Sequence, residues 1–347
     1  MTIKVLIIDD SALMRAVLTE IINGAADLNV VGAAPDPIAA REMIKALNPD
    51  VLTLDVEMPK MNGLEFLERL MKLRPMPVVM ISTLTKGGSE VTLQALELGA
   101  VDFIAKPRIE NAALLNTYSE EIRDKIRSAY GARLSSTPRQ KPPVAPRPLQ
   151  APLSSARLEG KLIAIGASTG GTEAIKAVLC DLPAEVPGIV IVQHMPEAFT
   201  GSFAARLDSF ARVRVIESKG GERILPGHAY LAPGHSHLLV KKTAGGYVTE
   251  LSQADPVNRH RPSVDVLFHS VAAIAKSNAI GVILTGMGKD GALGMLEMHQ
   301  AGAWNIGQDQ DSCVVYGMPR EAAQVGALDE VASLSSVADR VMARLRA

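Results

Sequence analysis

Short runs of apolar residues alternate with longer amphipathic stretches in the first third of the chain. The runs rich in β-favouring residues are Val5–Ile8, Val30–Ala33, Val51–Leu54, Val78–Ile81 and Phe103–Ala105. Helix-like stretches lie between them. A succession of β-α units of this kind predicts a parallel, doubly wound sheet.

The first amphipathic stretch carries signals for both ends of a helix. Ser11 is placed to act as the N-cap, and Gly24 lies near the predicted end. Leu13, Val17 and Ile21 recur at roughly helical spacing, so we expect them to share one face.

Proline changes the pattern between residues 135 and 155. The prolines of this stretch are Pro138, Pro142, Pro143, Pro146, Pro148 and Pro152. Since proline is excluded from helix interiors and central strands, the stretch predicts an extended, semi-rigid linker.

Alternation resumes after the linker. Leu162–Ile165, Ile189–Val192 and Ile280–Leu284 are predicted strands, each followed by a loop and a helix-like stretch. The region 213–251 is richer in β-formers, with Gly227 and Gly234 as turn residues, and predicts a hairpin at the sheet edge. The chain is therefore predicted to hold two α/β domains.

The amino-acid composition excludes several classes of protein. The 347 residues suit about two domains, and 47% hydrophobic residues suffice for normal cores. A net charge of -1 argues against a general grip on nucleic acid or anionic membrane. Two isolated cysteines, Cys180 and Cys313, fit a reducing compartment. No signal peptide or membrane-length apolar run is evident, so we expect a cytoplasmic protein without membrane insertion.

Polar residues stand where the strands of the first part end. Asp9 and Asp10 follow the first strand, Asp55 the third, Ser82 the fourth and Lys106 the fifth. The carboxyl ends of parallel strands share one edge, so these groups should converge. Three carboxylates together favour Mg²⁺, and Asp55 could attack a phosphoryl donor while Lys106 offsets the transferred charge. The alternative, solvated loop carboxylates, fits a single Asp better than five residues at successive strand ends.

This pattern resembles the receiver domain of response regulators over residues 1–125. The matching positions are Asp9, Asp10, Asp55, Met58, Pro59, Gly63, Ser82, Phe103, Lys106 and Pro107. The resemblance implies a flavodoxin-like fold with Asp55 as phosphoacceptor. It also implies that Mg²⁺ is held by Asp10, Asp55 and the main-chain carbonyl of Glu57, with Asp9 completing the acidic pocket.

The same resemblance implies a switch. Ser82 and Phe103 are the implied switch pair beside Lys106, although many receivers have Thr where Ser82 stands. Phosphorylation would pull the Ser82 hydroxyl toward the phosphoryl group, and Phe103 would turn inward. A cis bond between Lys106 and Pro107 is also implied.

A small-residue turn, Gly166–Gly171, stands between a predicted strand and helix of the second part. It exposes the Ser168 hydroxyl and main-chain N–H groups, which suits either a nucleophile or a phosphate cradle. His194 and Asp290 also follow strands, so the three side chains can meet at one sheet edge. They are the parts of a nucleophile–base–carboxylate triad. Their order, Ser, His, Asp, differs from the Ser, Asp, His order of α/β-hydrolases.

Other chemistry-bearing residues carry less weight. His228, His235 and His237 lack a cysteine partner at zinc-ligand spacing, and zinc is disfavoured. We interpret Asp265 and His269 as a surface or packing pair and Trp304 as a core residue. The cluster Arg259, His260 and Arg261 is either a solvated loop or a contact for an acidic substrate.

From Lys161 onward the chain closely resembles the catalytic domain of the chemotaxis protein-glutamate methylesterase family, CheB. The matching segments are GASTGG at 166–171, QHMP at 193–196, NRHRPSVDVLF at 258–268, LTGMGKDG at 284–291 and CVVYGMPREA at 313–322. With the receiver in front, the predicted organisation is receiver 1–125, linker 126–158 and catalytic domain 159–347. The second domain is expected to be Rossmann-like, with an antiparallel hairpin and no cofactor.

The CheB resemblance also implies the reaction. Glutamate γ-methyl esters on the cytoplasmic helices of chemoreceptors are the implied substrates, with specific receptor glutamines deamidated as well. Main-chain N–H groups of Thr169 and Met287 are the expected oxyanion donors. A histidine kinase is the implied phosphodonor.

Two other kinds of output domain are alternatives to a methylesterase. A DNA-binding output predicts a basic helix-turn-helix module, and the second part is too long, too regular in its β-α alternation and too weakly basic for that. A nucleotide-binding output would use the turn at Ser168 as a phosphate cradle.

Overall fold

The structure is a computed structural model that describes residues 2–58, 62–83, 85–106, 112–134 and 158–347, without the side chains of 86 and 112–117. The chain divides into two compact units, Met1–Gln140 and Lys141–Ala347. The linker prolines, Pro59 and Pro107 lie outside the described residues. The predicted domain boundaries at 125 and 158 stay predictions.

The first unit alternates strands with helices throughout. Its strands are β1 Ile3–Ile8, β2 Leu28–Ala34, β3 Val51–Asp55, β4 Val78–Ser82 and β5 Asp102–Ala105. Its helices are α1 Ala12–Asn23, α2 Pro37–Leu47, α3 Gly63–Leu73, α4 Lys86–Glu97 and α5 Ala112–Tyr130.

All neighbouring strands of this unit pair in parallel, in the order β2-β1-β3-β4-β5. Every residue of β3 and β4 is buried, as expected for central strands covered on both faces. The predicted doubly wound sheet is confirmed. Asp55 and Ser82 are the last residues of adjacent strands, which brings their side chains to one edge.

Helix α1 confirms one prediction and corrects another. Ser11 is the N-cap, and its hydroxyl accepts a hydrogen bond from the Met14 amide. Of the predicted apolar face, Ile21 is buried and Val17 partly buried, but Leu13 is 65% exposed, and the buried face also contains Leu18 and Ile22. At about 100° per residue, Leu13 lies about 140° around the helix from Leu18.

The second unit is also built from β-α units, with an added hairpin. Its strands are β6 Leu162–Ala167, β7 Gly188–Gln193, β8 Arg214–Glu217, β9 His228–Leu231, β10 His237–Thr243, β11 Gly246–Ser252, β12 Ala279–Ile283, β13 Trp304–Gln308 and β14 Glu330–Ala332. Its helices are α6 Gly171–Asp181, α7 Glu197–Phe210, α8 Val264–Ala275, α9 Ala292–Gln300, α10 Met318–Gln324 and α11 Val337–Arg346, with short 3₁₀ turns at Lys276–Asn278 and Leu334–Ser336.

Seven parallel strands form the main sheet in the order β14-β13-β12-β6-β7-β9-β8. Strand β6 is central, between β12 and β7. The order reverses there, and open α/β sheets bind ligands beyond the strand ends at such a point.

The predicted hairpin is present, but its predicted place was wrong. β10 and β11 pair with each other as a separate two-stranded sheet, and the edge of the main sheet is formed by the parallel strand β8. Leu238, Val240 and Tyr247 of the hairpin join the buried core that also contains α8. Apolar burial against a helix therefore decides where the hairpin lies.

Helix α8 is well buried. Val264, Leu267, Phe268 and Val271 are fully buried. A Cβ on Gly166 of β6 would lie 2.3 Å from Val264 Cγ1, so the helix start packs directly on the end of the central strand. None of the described helices is long and apolar enough to cross a membrane.

We expect Phe268→Ala to lower the free energy of unfolding by about 3–5 kcal/mol, because it leaves a cavity between α8 and the sheet. Denaturant unfolding measures the change. Leu293→Ala is the matched control, since this side chain is 55% exposed and should change stability by about 0.5 kcal/mol or less. Equal effects of the two substitutions would contradict the core assignment.

Candidate active site

Ser168 stands in a tight turn directly after β6. The Gly171 amide donates to the Ser168 carbonyl at 2.7 Å, and the Ser168 amide donates to Thr285 O at 3.1 Å. Gly170 has φ +74°, and a Cβ there would lie 2.7 Å from Val314 Cβ. The turn therefore needs glycine at this position.

His194 is brought beside Ser168 by strand register. Ala167 of β6 pairs with Gln193 of β7, so the two functional residues follow paired positions. The Gln193 side-chain amide donates to Ser168 O at 2.9 Å and to His194 O at 3.2 Å. One side chain thus braces the backbone of both residues.

Asp290, from the loop after β12, meets the His194 ring. His194 Nε2 lies 2.8 Å from Asp290 Oδ2, and the side chains are 8% and 1% exposed. His194 Nδ1 is buried and has no hydrogen-bond partner within the described parts of the chain. Because Nε2 faces the carboxylate, Nδ1 is the nitrogen left to act on another group.

The carboxylate of Asp290 receives four further hydrogen bonds from one segment. They come from Val264 N at 2.6 Å, Ser263 Oγ at 2.7 Å, Asp265 N at 3.3 Å and Asn258 Nδ2 at 2.7 Å. Most of these donors lie at the N-terminus of α8, where main-chain N–H groups favour an anion. Burial raises the pKa of Asp290, but the bonds from His194, Asn258 and Ser263 outweigh it and hold that pKa below its usual value.

Asp265 belongs to this site, so the predicted surface pairing with His269 was wrong. Asp265 is 3% exposed and accepts from Asn258 Nδ2 and from Gly294 N, each at 2.7 Å. Burial, together with the nearby charge of Asp290, raises its pKa. His269 pairs instead with Glu297 at 2.7 Å.

One residue of the cluster 259–261, His260, contacts the catalytic pair. The rings of His260 and His194 are stacked, with centroids 3.7 Å apart and planes 12° from parallel. Arg261 donates to the main-chain carbonyls of Gln253 and Ala254, which anchors the loop. Arg259 and Arg261 are exposed and His260 is partly buried, so the solvated-loop interpretation fits the two arginines, and the contact of His260 with His194 was not predicted.

Sequence reasoning missed Asn258 and Ser263 as well. The available signal was Ser263 directly before an apolar helical run, because an N-cap marks a helix start that attracts a carboxylate. His237 is also explained by this segment, since its Nδ1 accepts from the Ser263 amide at 3.1 Å and its Nε2 lies 3.1 Å from Asp255 O. The other two histidines weighed as zinc ligands bond locally, His228 to Pro226 O and His235 to Ser236 Oγ.

The predicted oxyanion donors belong to the Ser168 turn and to the loop that contacts it. Thr169 follows it and is 4% exposed. The Met287 amide, as far as the structure describes the chain, donates to no hydrogen-bond acceptor. A Cβ on Gly286 would lie 2.8 Å from Ser168 Cβ, so the Met287 loop passes directly against the serine.

At the sheet edge of the first unit, oxygens of Asp9, Asp10 and Asp55 lie within 4.8 Å of one another. Lys106 Nζ is 2.7 Å from Asp55 Oδ2 and 3.3 Å from Asp9 Oδ2. Burial raises the pKa of Asp55 to about 6; Asp9 adds to the rise and Lys106 opposes it.

This acidic cluster fits Mg²⁺. Asp9 Oδ2 is buried and, among the described residues, is paired only with Lys106, at 3.3 Å and without hydrogen-bond geometry. Three clustered carboxylates with a single ammonium partner leave hard oxygens of the kind that this ion binds. The Glu57 amide donates to Asp55 Oδ1 at 3.3 Å, which holds the backbone of Glu57, whose carbonyl is the predicted ligand, beside this carboxylate.

The predicted switch pair lies behind this cluster. Ser82 is fully buried, and its hydroxyl accepts from Thr92 Oγ1 at 2.7 Å. Phe103 is 4% exposed, with Lys125 Nζ 5.4 Å from its ring centroid. The ring is thus already buried in this structure.

Comparisons with known proteins agree with both units. A family model described as CheB methylesterase matches residues 163–341, and one described as response regulator receiver domain matches residues 5–118. The protein-glutamate methylesterase/protein-glutamine glutaminase of Nitrosomonas europaea is 65% identical over 349 residues, covering 99% of this chain and 96% of that protein. Its counterpart in Methylobacillus flagellatus is 63% identical, covering 100% and 98%.

A solved structure supports the second unit. The crystal structure of the Thermotoga maritima CheB methylesterase catalytic domain matches with a TM-score of 0.52 and 40% identity, covering 53% of this chain and 98% of that one.

We expect Asp290→Asn to flatten the acid side of the stability profile. The pKa of Asp290 in the folded protein lies below the usual 3.8. Its ionised form therefore contributes stability that is present above about pH 4 and is lost as the pH falls below that value. Denaturant unfolding of wild type and variant between about pH 6 and pH 2 measures the difference in slope.

Glu297→Gln is the control for this pH series, because the Glu297 side chain is 56% exposed. It should follow the wild-type profile. If Asp290→Asn followed it equally closely, the carboxylate would not carry the lowered pKa.

Proposed function

Since this chain belongs to the CheB family of protein-glutamate methylesterases/protein-glutamine glutaminases, we propose that it acts on the cytoplasmic helices of chemoreceptors. Glutamate γ-methyl esters and selected glutamines of those helices are the substrates. The observation that carries this proposal is the buried pair of His194 and Asp290 beside the Ser168 turn.

Attack begins at Ser168. Its hydroxyl oxygen bonds to the ester carbonyl carbon while Nδ1 of His194 takes the proton. No described residue hydrogen-bonds to Nδ1, and Nε2 stays bonded to Asp290. The lowered pKa of Asp290 keeps that carboxylate ionised, so it stabilises the imidazolium that forms.

The tetrahedral intermediate carries its negative charge on the former carbonyl oxygen. Amides of Thr169 and Met287 donate to that oxygen, and removal of one such donor costs about 10²–10³ in rate in a comparable hydrolase. The bond between the former carbonyl carbon and the methoxy oxygen then breaks, and His194 gives its proton to that oxygen to release methanol.

Water resolves the acyl-enzyme by the same groups. His194 takes a proton from water, the hydroxide adds to the acyl carbon, and the Ser168 oxygen leaves with that proton. The product is a glutamate carboxylate. With a glutamine side chain the first leaving group is ammonia, and the later steps are unchanged.

The first unit controls the rate of this reaction. Asp55 accepts a phosphoryl group from a histidine kinase, and Lys106 offsets the added charge. Asp10, Asp55 and the Glu57 carbonyl would hold Mg²⁺, which when bound supplies positive charge at this site. Ser82 and Phe103 pass the change to the rest of the domain.

The state of the receiver regulates the catalytic unit. The unphosphorylated receiver inhibits the methylesterase, and phosphorylation relieves the inhibition. A differential stability of about 1.4 kcal/mol between the inhibited and active states suffices for a tenfold change in the active population. The setting is adaptation in a cytoplasmic chemosensory pathway.

Ser168→Ala should abolish methanol release from methylated receptor membranes, lowering the rate by about 10⁴-fold or more, because the nucleophile is lost. Phosphorylation of Asp55 by a small-molecule phosphodonor should be unchanged in the same variant. Persistent full esterase activity would rule out Ser168 as the nucleophile.

Removal of residues 1–140 should raise methanol release above that of the unphosphorylated full chain, by about tenfold for a differential stability of about 1.4 kcal/mol. Asp55→Asn in the full chain is the paired variant and should abolish the response to phosphodonor. Equal activity of the truncated and unphosphorylated chains would show that the receiver does not inhibit the catalytic unit.

A further inference from the structure

A strained turn, Val257–His260, lies against the catalytic pair. Val257 N donates to His260 O at 3.1 Å, and His260 N donates to Val257 O at 2.9 Å. The two central residues, Asn258 and Arg259, have φ of +51° and +67°. Non-glycine residues adopt this left-handed conformation rarely, and such strain persists at functional sites when the surroundings hold it.

The last residue of the turn contacts the base. The His260 ring lies flat on the His194 ring, 3.7 Å between centroids. The bond from His194 Nε2 to Asp290 alone would let the imidazole pivot about that bond. A flat contact on one ring face removes this freedom and fixes where Nδ1 points, and misplacement by about 1 Å is enough to cost about 10²-fold in rate.

The second residue of the turn contacts the carboxylate. Asn258 Nδ2 donates to Asp290 Oδ1 and to Asp265 Oδ2, each at 2.7 Å. The amide therefore lies between two buried carboxylates and ties Asp290 to α8. Asp265 is itself held by Gly294 N.

We propose that the turn 257–260 is the positioning element of the triad, with the His260 ring fixing the plane of His194 and the Asn258 amide fixing the carboxylate of Asp290. Both residues act through the pair. This inference rests on the proposed roles of Ser168, His194 and Asp290.

The test uses the full-length chain and reads the nucleophile directly. The rate at which a fluorophosphonate labels Ser168 is compared among wild type, His260→Ala, His260→Phe and Asn258→Ala. We expect His260→Ala and Asn258→Ala to lower the rate about tenfold or more. His260→Phe should keep most of the rate, because its ring supplies the same flat face.

Three further measurements separate positioning from general stability. Methanol release should show a fall in kcat with little change in KM. In an Asp290→Asn background, His260→Ala should lower labelling little further, since residues that act as a unit are not additive. His269→Ala, a histidine of α8 that pairs with Glu297, should label as wild type does.

The outcomes are distinguishable. Wild-type labelling rates in His260→Ala and Asn258→Ala would overturn the inference, as would a His260→Phe rate no better than that of His260→Ala. Full additivity with Asp290→Asn would also overturn it. A wild-type chain that is not labelled at Ser168 would overturn the proposed function and, with it, this inference.

Discussion

The carboxylate of Asp290, buried at the N-terminus of α8, is the interaction on which the catalytic unit depends. Five donors converge on its two oxygens, from His194, Asn258, Ser263, Val264 and Asp265. A buried charge is costly unless it is fully hydrogen-bonded, and here the helix start supplies much of that bonding. The same contact joins the loop after β12, the start of α8 and the residue after β7.

Two buried aspartates illustrate how surroundings set the role of one side-chain type. Asp290 accepts five hydrogen bonds, which outweigh its burial, and its pKa falls below the usual value. Asp55 has one ammonium partner against burial and a neighbouring carboxylate, and its pKa rises to about 6. The first arrangement suits a permanent anion that orients a histidine, and the second suits a site that awaits a cation and a phosphoryl group.

The pattern of apolar residues along the chain predicted most of the fold. Each predicted strand is present within two residues at either end, because continuous apolar runs are what central parallel strands require. The meeting of the polar residues at the strand ends could also be predicted, since a parallel sheet brings those ends to one edge. The pattern did not predict which face of α1 is buried or where the β10–β11 hairpin lies. Both depend on which apolar surface is available to cover them.

By itself, the sequence determined the two α/β units, the acidic cluster of Asp9, Asp10 and Asp55, and the meeting of Ser168 with His194. These follow from local chain order and strand register. Only the tertiary structure decided that Asp265 and Asn258 hold the carboxylate, that His260 lies on the base and that Nδ1 of His194 is left free to act. Those contacts join segments about thirty to seventy residues apart in the chain (Asn258 to Asp290, His194 to His260), where sequence spacing says nothing about distance.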